Sequence, residues 1–600
     1  MSVPSDQATF VATLVDEWVR SGVTDAVVCP GSRSTPLALA LANRSDIRLH
    51  VRLDERGAGF FALGLGLASG RAAVVCTTSG TAAAELHPAV VEAHHARVPL
   101  IACTADRPPE LHGVGAPQTI DQADLFGAVV RWRSDPGVAV AQTAGSWRAL
   151  ASRAVAEARS GPLGPGPVHL NLAFRDPLTA VAGPIPLGRP EGRQGSGAGA
   201  VPWSPGADGR TVAESVAGWV GRRGLVVAGA RCGPPADVVA LAERLGWPLL
   251  ADPRSGCRLD HPQVVAGADA LLRDPGISEA LRPDVVVVLG DSWISNALAA
   301  HLRAASEAGA DVVKVDPWWR WADPDHVVST VHRADPGKWL VAAVGALDAG
   351  AAGGHPRGAG QKGWLGRWQN AERAAQRAID IVLDDDAASH GGRITEPAVA
   401  RRLLGNLPPG ARVVIGSSMP VRDLEWYAPA MPAPPPVLAN RGVNGIDGVT
   451  STAQGVAAGG SGPVVAVMGD LTFLHDVSSL VRLAGPAWGA STTVVVVDNV
   501  GGGIFDFLPQ ATVVELDVFE QLFGTPPAVD VARVAEGFGV PVSDVGTPHE
   551  LDGALRAANL SGDLSVVRVR VPRRRENVAL HERIHTAVAD AARPVVGIGR

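Results

Sequence analysis

The sequence predicts an α/β protein made of three doubly wound domains with mostly parallel sheets. Short, continuous apolar runs recur along the 600 residues and are separated by stretches with helical character, which is typical of strands buried between two layers of helices. Two passages dense in glycine and proline, residues 180–208 and 345–363, divide the chain. We therefore expect domains at residues 1–185, 210–348 and 364–600.

Each of the three segments has its own series of predicted strands, and the first begins with a helix near residues 8–21. The predicted strands are residues 26–29, 73–77, 100–104 and 168–172 in the first segment, 224–228, 285–289 and 312–315 in the second, and 413–415, 464–468, 493–497 and 565–571 in the third. Strands that alternate with helices form open parallel sheets covered on both faces. Binding residues are then expected at the carboxyl ends of the strands.

Composition and charge narrow the classes of function. With 46% apolar and 19% charged residues, the chain can bury several hydrophobic cores. A net charge of −7 gives no reason to expect a nucleic acid or an anionic membrane as partner. Residues 448–469 carry no charge, but they are too rich in glycine, serine and threonine to span a membrane.

The cysteines and the amino terminus favour a cytoplasmic enzyme. The five cysteines are odd in number and scattered, and they show neither the CxxC spacing of a metal site nor a disulfide framework; they are Cys29, Cys76, Cys103, Cys232 and Cys257. The first ten residues contain Asp6 and no apolar core, so they do not form a signal peptide.

An oxygen-rich pattern follows two predicted strands of the third segment. Asp470 comes directly after the run 464–468, and Asn499 and Gly501 come after the run 494–497. A carboxylate, an amide oxygen and a backbone carbonyl are hard ligands that suit magnesium, and magnesium in turn holds diphosphates. A helix beginning near Thr472 would direct its N-terminus at such phosphates. Two polar turns of a doubly wound sheet would explain the same spacing.

A second candidate, Glu55, lies at a predicted junction between a strand and the helix 57–69. A glutamate at a helix start is commonly only a capping or dipole residue. Thiamine diphosphate connects this region with the oxygen-rich pattern, because it needs magnesium for its diphosphate and a carboxylate for N1′ of its aminopyrimidine.

Seven segments, in order along the chain, carry a resemblance to one family. They are residues 29–36, 54–57, 78–81, 104–111, 440–442, 445–448 and 501–505. Through them the chain resembles the 2-succinyl-5-enolpyruvyl-6-hydroxy-3-cyclohexene-1-carboxylate synthases, one branch of the thiamine-diphosphate enzymes. The matches run from about residue 29 to 509, with a poorly matching middle. The resemblance implies a pyrimidine-binding, a central and a diphosphate-binding domain, in that order.

The resemblance also implies a reaction. In menaquinone biosynthesis, 2-oxoglutarate loses carbon dioxide and the remaining unit adds to isochorismate in a 1,4 sense. Thiamine diphosphate with Mg²⁺ or Mn²⁺ would be the cofactors. The active sites would lie between the subunits of a homo-oligomer, a dimer or a tetramer.

The resemblance assigns roles to individual residues. Glu55 would be catalytic, and the metal ligands would be Asp470, Asn499 and Gly501. The further cofactor-binding residues would be Ser79, Gly80, Ser418, Met419, Ile446, Gly469, Leu471, Gly503, Ile504 and Phe505. Core packing would explain Met419 and Ile446 equally well. Phe505, Phe507 and Leu508 could form an apolar lid.

Two dicarboxylic substrates require several fixed cations, and the planar guanidinium of arginine suits carboxylates best. By the resemblance, the substrate-binding residues would be Arg33, Arg107, Arg422 and Arg441, with Ser32 and Gln118 as neutral donors. Any one of these arginines, taken singly, is more commonly a surface or ion-pair residue.

Some positions depart from the family pattern. Pro117 stands where the family more often has asparagine, and so do Asp498 and Val500. Asn296 stands where relatives often have a basic residue, and Arg303 is the candidate to take over that contact. In the middle segment, residues 229–233 resemble a dinucleotide-binding loop without its third glycine, and a structural turn is the competing interpretation.

Three functions from different classes remain open. The carboligating synthase is favoured. Another thiamine-diphosphate enzyme, either a decarboxylase or an acetolactate-type synthase for monocarboxylic 2-oxoacids, would not need four arginines. A noncatalytic nucleotide-binding or scaffold protein could have the same fold.

Overall fold

The computed structural model describes residues 5–187, 209–291, 294–318, 322–352, 362–483, 491–558 and 563–598. Residues 188–208 and 353–361, which make up much of the two predicted linkers, lie outside these ranges. The predicted domain boundaries therefore stay predictions.

The first sheet has six parallel strands in the order β2-β1-β3-β4-β6-β5. Its strands are β1 (Asp25–Val28), β2 (Arg48–Val51), β3 (Ala73–Thr77), β4 (Leu100–Asp106), β5 (Trp132–Ser134) and β6 (Pro167–Ala173). The accompanying helices are α1 (Asp6–Arg20), α2 (Thr35–Ala42), α3 (Glu55–Ser69), α4 (Thr81–Ala84), α5 (His87–Ala96) and α6 (Ala144–Arg159).

The second sheet also has six parallel strands, in the order β12-β11-β10-β7-β8-β9. Its strands are β7 (Gly224–Ala228), β8 (Leu249–Ala251), β9 (Val264–Val265), β10 (Val285–Leu289), β11 (Asp311–Val315) and β12 (Thr330–His332). The helices are α7 (Gly209–Trp219), α8 (Pro235–Leu245), α9 (Ala268–Leu272), α10 (Pro275–Ala280), α11 (Asn296–Glu307) and α12 (Pro336–Ala352).

The third sheet repeats the strand order of the first, as β14-β13-β15-β16-β18-β17, again with six parallel strands. Its strands are β13 (Arg412–Ile415), β14 (Val437–Leu438), β15 (Val464–Gly469), β16 (Thr492–Asp498), β17 (Val542–Val545) and β18 (Leu564–Arg570). Its helices are α13 (Lys362–Ser389), α14 (Glu396–Leu403), α15 (Met419–Tyr427), α16 (Val449–Gly459), α17 (Asp470–His475), α18 (Gln510–Val513), α19 (Leu516–Phe519), α20 (Val531–Gly537), α21 (Pro548–Ala558) and α22 (Arg574–Ala592).

The predicted fold class is therefore confirmed. The strands lie where the sequence has continuous apolar runs, because helices cover both faces of each sheet; every residue of β10 is at most 2% exposed. The uncharged stretch 448–469 forms α16 and β15, as predicted. Among the described residues, no helix has the length and apolar content needed to cross a membrane.

Helix α13 joins the third segment to the second. Its Trp364 and Trp368 pack in one hydrophobic core with Leu225 and Val286 of the central sheet, and Ile584 of α22 lies in the same core. The Trp364 indole also donates a hydrogen bond of 2.8 Å to the carbonyl of Gly224. The central sheet is thus covered on one face by helices that come after it in the chain.

Helix α3 packs closely against α16 and so joins the first sheet to the third. Glycines make this approach possible. A side chain at Gly64 would come within 2.2 Å of the Thr452 carbonyl, and one at Gly455 within 2.1 Å of the Phe61 carbonyl. Backbone therefore lies against backbone, which only glycine permits at these two positions.

Candidate functional site

The predicted metal ligands meet at the carboxyl edge of the third sheet. β15 and β16 are neighbours in this sheet; Asp470 begins α17 directly after β15, and Asn499 follows β16. The Asp470 carboxylate accepts hydrogen bonds from the backbone N–H of Leu471 at 2.8 Å and of Gly501 at 2.7 Å. The structure therefore brings Asp470, Asn499 and Gly501 together, with Gly469 and Leu471 on either side of the aspartate.

The Asn499 amide is held in one orientation. Its Nδ2 donates a hydrogen bond of 2.8 Å to Oε1 of Glu396. Its Oδ1 is buried and has no hydrogen-bond partner among the described residues. A buried amide oxygen without a partner is costly, and a cation would supply what it lacks.

The turn around Gly501 accommodates no side chain. Gly501 has φ +130°, and a Cβ would lie 2.2 Å from the Gly524 carbonyl oxygen. Its own carbonyl accepts the N–H of Gly503 at 2.9 Å, which leaves one lone pair of that oxygen for a metal. A Cβ at Gly503 would lie 2.5 Å from Nδ2 of Asn499, so this second glycine makes room for the amide.

Nearby cations do not fully neutralise the buried acidic groups at this edge of the third sheet. The pKa of Asp470 is raised to about 7, mainly by burial and also by the neighbouring Asp498, against the effect of the backbone N–H donors. Burial likewise raises the pKa of Glu396 to about 7, and Asp470 and Asp506 contribute. Arg568 pairs with Asp498 at 2.7 Å and Arg574 with Asp506 at 3.1 Å.

The donor set therefore fits a divalent cation of the magnesium type, which prefers oxygen ligands. Among the described residues, no group of three or more His, Cys, Asp or Glu side chains could hold a metal.

Gly503, Ile504, Phe505 and Phe507 lie on a single 3-10 turn, Gly503–Phe507, directly after the ligands. The Phe505 ring lies 5.7 Å from that of Phe523, and Ile504 and Phe507 pack against the core that α13 shares with the central sheet. Leu508 is 40% exposed. Only Leu508 of the predicted lid residues is thus largely open to solvent.

Glu55 is the first residue of α3. Asp54 caps the helix by accepting the N–H of Gly57 at 3.1 Å. Asp54 also contacts the hydroxyl of Ser478, and Arg56 donates to the carbonyl of His475 at 2.8 Å. The Glu55 side chain is partly exposed, and burial raises its pKa, with Asp54 and Glu85 adding to the shift.

The carboxyl edge of the first sheet gathers one set of predicted substrate residues. Arg107 donates to the Ser79 hydroxyl at 2.7 Å, and its pKa is lowered by burial and by the charge of Arg33. Arg33 donates to the Phe174 carbonyl at 2.9 Å and is preceded by Ser32. A Cβ at Gly80 would lie 3.5 Å from the backbone of Gln118, so these residues surround one surface.

A second set lies at the carboxyl edge of the third sheet. Arg422 donates to the carbonyls of Ser417 at 3.0 Å and Ser418 at 2.7 Å. Arg441 lies beside it, and its pKa is lowered to about 10 by burial together with the charges of Arg254 and Arg422. Like charges placed side by side in this way are typical of a surface that binds anions.

Met419 and Ile446 differ in their surroundings. Met419 is 3% exposed and belongs to a hydrophobic core, so packing explains it within one chain. Ile446 is 38% exposed, and packing does not account for it.

The two sets remain separate. In the described part of the chain, no hydrogen bond or ion pair joins Glu55 and the substrate residues of the first sheet to the ligands and arginines of the third. We call these two groups of residues the two half-sites.

The central domain contributes to two cavities and contains the predicted loop 229–233. Arg441 lines a cavity of about 560 Å³ where the three domains meet. Asn296 and Arg303 line a different cavity, of about 450 Å³, and Arg303 pairs with Asp325 at 2.5 Å. A Cβ at Gly229 would lie 1.8 Å from the Asp291 carbonyl, so the loop 229–233 fits the interpretation as a structural turn.

Sequence reasoning missed two acidic residues that contact the half-sites. Glu396 holds Asn499, and Glu92 accepts the backbone N–H groups of Gly442 at 2.7 Å and Val443 at 2.8 Å, next to Arg441. The sequence around each reads as an ordinary helix. No local pattern indicates partners that lie 103 and 350 residues away.

The chain matches three protein families. They are described as thiamine pyrophosphate enzyme, N-terminal TPP binding domain (residues 8–125), middle domain of thiamine pyrophosphate (206–409), and thiamine pyrophosphate enzyme, C-terminal TPP binding domain (426–569).

Several curated relatives are similar over almost the full length. The 2-succinyl-5-enolpyruvyl-6-hydroxy-3-cyclohexene-1-carboxylate synthase of Bacillus velezensis is 40% identical over 88% of this chain and 89% of its own. The proteins of the same name from Chloroflexus aurantiacus and Thermobifida fusca are each 41% identical over 97% of this chain, and 96% and 98% of their own lengths are covered. Among solved structures, benzoylformate decarboxylase from Polynucleobacter necessarius has a similar fold, with a TM-score of 0.69, 20% identity and coverage of 94% and 98%.

Proposed function

The chain belongs to the 2-succinyl-5-enolpyruvyl-6-hydroxy-3-cyclohexene-1-carboxylate synthase family of thiamine-diphosphate enzymes, and we propose that the two half-sites described above perform the family's reaction. In it, 2-oxoglutarate is decarboxylated and the remaining unit adds to isochorismate in a 1,4 sense. The products are 2-succinyl-5-enolpyruvyl-6-hydroxy-3-cyclohexene-1-carboxylate and carbon dioxide. The enzyme is accordingly a transferase of menaquinone biosynthesis.

The buried Oδ1 of Asn499, which has no hydrogen-bond partner in the described part of the chain, is the observation that supports the cofactor site most directly. Asp470, Asn499 and the Gly501 carbonyl would hold Mg²⁺, with Mn²⁺ as the alternative ion, and Gly469 to Leu471 and Gly503 to Phe505 would surround the diphosphate. Bound thiamine diphosphate supplies the nucleophilic carbon and the electron sink for loss of carbon dioxide.

Glu55 would hold the other end of the cofactor. It lies at the start of a helix that is capped by Asp54, so its backbone position is fixed. Burial raises its pKa, which suits a carboxyl group that shares a proton with a ring nitrogen. Ser79 and Gly80 would contact the cofactor from the same domain, and Ser418, Met419 and Ile446 from the third.

The arginines would bind the carboxylates of both substrates. Arg33 and Arg107 lie together in one half-site, and Arg422 and Arg441 in the other. Ser32 and Gln118 would add neutral donors. Charge-assisted contacts of this kind orient the reactants and offset the cost of removing their carboxylates from water.

The separation of the half-sites supports a homo-oligomer whose active sites are completed by a second copy of the chain. Apolar side chains beside both half-sites are exposed in one chain, as expected of surfaces that another copy covers. They are Leu53 (60%), Val114 (67%), Ile446 (38%), Val500 (42%) and Leu508 (40%). The five cysteines are all free and buried, which suits the reducing cytoplasm.

The activity is tested directly by incubating the purified protein with thiamine diphosphate, Mg²⁺, 2-oxoglutarate and isochorismate. Loss of isochorismate absorbance and the mass of the product report the reaction. Pyruvate replaces 2-oxoglutarate in a parallel incubation. A preference for pyruvate would instead support the acetolactate-type alternative, and no turnover of either donor by the metal-loaded protein would contradict both.

A further inference from the structure

Glu396 occupies an unusual place for a residue at the start of a helix. It is the first residue of α14, with Thr395 as the N-cap and Pro397 following it. A glutamate in a first turn ordinarily interacts with the helix dipole from the surface. Glu396 is instead 4% exposed, and burying a carboxylate is costly unless a specific partner compensates. Dipole stabilisation alone therefore does not explain it.

The partner of Glu396 is the Asn499 amide, at 2.8 Å from Nδ2 to Oε1. An asparagine amide has one donating and one accepting end. An acceptor beside one end therefore fixes where the other end points. With Nδ2 turned to Glu396, the acceptor Oδ1 is turned the opposite way, and there it meets no partner among the described residues.

The surroundings leave the amide little freedom. The Cβ that Gly503 lacks would lie 2.5 Å from Nδ2, so the backbone closes around this end of the side chain. Second-layer hydrogen bonds that orient metal ligands are a recurring feature of metal sites.

We propose that Glu396 is a positioning residue for the metal site, which fixes the Asn499 amide so that its oxygen, and not its nitrogen, faces the ion. This inference rests on the proposed function, because it requires a metal at Asp470, Asn499 and Gly501. Glu396 itself touches neither the ion nor the substrates in this role.

The test measures metal affinity and does not depend on turnover. Mg²⁺ binding is titrated by calorimetry, and Mn²⁺ binding by electron paramagnetic resonance, each with thiamine diphosphate present. Glu396→Ala should weaken both ions about 10- to 100-fold, the usual effect of losing such an orienting group. Glu396→Gln should lose less metal affinity, because the glutamine amide oxygen can still accept the hydrogen bond from Nδ2, although it carries no charge.

A matched control separates orientation from the general loss of a hydrogen-bonded carboxylate. Glu372 lies on α13 and accepts the backbone N–H groups of Ala266 at 3.1 Å and Gly267 at 2.9 Å, and in the described part of the chain it makes no hydrogen bond or ion pair with Glu396 or with a proposed metal ligand. Glu372→Ala should lower the melting temperature and leave metal affinity unchanged.

A double-mutant cycle shows whether Glu396 affects metal affinity through the Asn499 amide. If Glu396 acts through the amide, Glu396→Ala should cost nothing further in a chain that already carries Asn499→Ala. An equal loss in both backgrounds would show that Glu396 acts by its charge alone and would overturn the inference. If Glu396→Ala does not fold, the same cycle with Glu396→Gln decides.

The inference and the proposed function fail in different ways. Wild-type affinity in the Glu396 variants, combined with loss of binding in Asp470→Ala, would refute the role of Glu396 and leave the metal site standing. Unchanged binding in Asp470→Ala would instead refute the metal site itself.

Discussion

Two variants that are each inactive should recover activity when their subunits are mixed. Glu55→Gln disables the half-site of the first sheet, and Asp470→Ala disables the half-site of the third. Each homodimer then carries the same lesion in both of its active sites. If every site combines Glu55 of one chain with Asp470 of the other, a mixed dimer collects both lesions in one site and neither in the other.

The magnitude follows from counting. Random mixing of equal amounts makes half of the dimers hybrid, and each hybrid has one intact site of two, so activity should return to about a quarter of wild type. The structure supports this arithmetic because no described contact joins Glu55 to Asp470 within a chain. The residues next to Glu55 instead contact the opposite end of α17 from Asp470. Arg56 contacts His475, the last residue of α17, and Asp54 contacts Ser478, which lies just beyond it.

The assay uses two affinity tags, one on each variant, so that hybrids can be isolated after coexpression and their isochorismate consumption measured; the isolated hybrids should reach about half of wild-type activity, against about a quarter for the unsorted mixture. A mixture of Glu55→Gln with Glu55→Ala is the matched control and should stay inactive. Isolated hybrids without activity would mean that both residues serve the same site within one chain. The proposal that each active site lies between two subunits would then be wrong.

The remaining predictions concern ligands and pH. Asp470→Ala should abolish Mg²⁺-dependent binding of thiamine diphosphate, measured by calorimetry, while circular dichroism stays unchanged, since a charged metal ligand is lost. Arg422→Ala and Arg441→Ala should raise the KM of a substrate by the equivalent of about 1.5 to 3 kcal/mol each, with little change in cofactor affinity; equal losses for the cofactor would indicate a structural role. Burial lowers the pKa of His169 to about 4, so as the pH falls this histidine binds a proton in the unfolded chain before it does so in the folded chain. Its neutral state therefore favours folding above pH ~6.5, and that contribution should be lost between pH ~6.5 and 4; denaturant unfolding of His169→Gln should show a weaker dependence on pH in this window.

The interior strands of the sheets could be predicted from the sequence, except the three-residue strand β8, and the edge strands could not. β10 is an unbroken run of valine and leucine with helices on both faces, so its bounds match the prediction. β2, Arg48–Val51, has only one buried residue, and β9 is two residues long. Edge strands such as these lack the apolar pattern by which the central strands are recognised.

The candidate site divides in the same way. The ligands Asp470, Asn499 and Gly501 follow strands that pair directly, so a local pattern was enough to bring them together. Glu396 was missed because its helix start looks ordinary and its partner lies far along the chain. Contacts that depend on tertiary packing leave no trace in local sequence. Trp364 of α13, which packs against the central sheet, is another example.

The pairing of α3 with α16 explains why one chain keeps its half-sites apart. The two helices hold equivalent places, since α3 follows β2 and α16 follows β14, and these strands occupy the same position in sheets of the same order. The first and third domains of a chain are thus joined face to face through these helices, with backbone contact at Gly64 and Gly455. In the homo-oligomer proposed above, the third domain would perform two tasks: it would hold α3 of its own chain, and with it Glu55, in place, and it would present Asp470, Asn499 and Gly501 to a second copy of the chain.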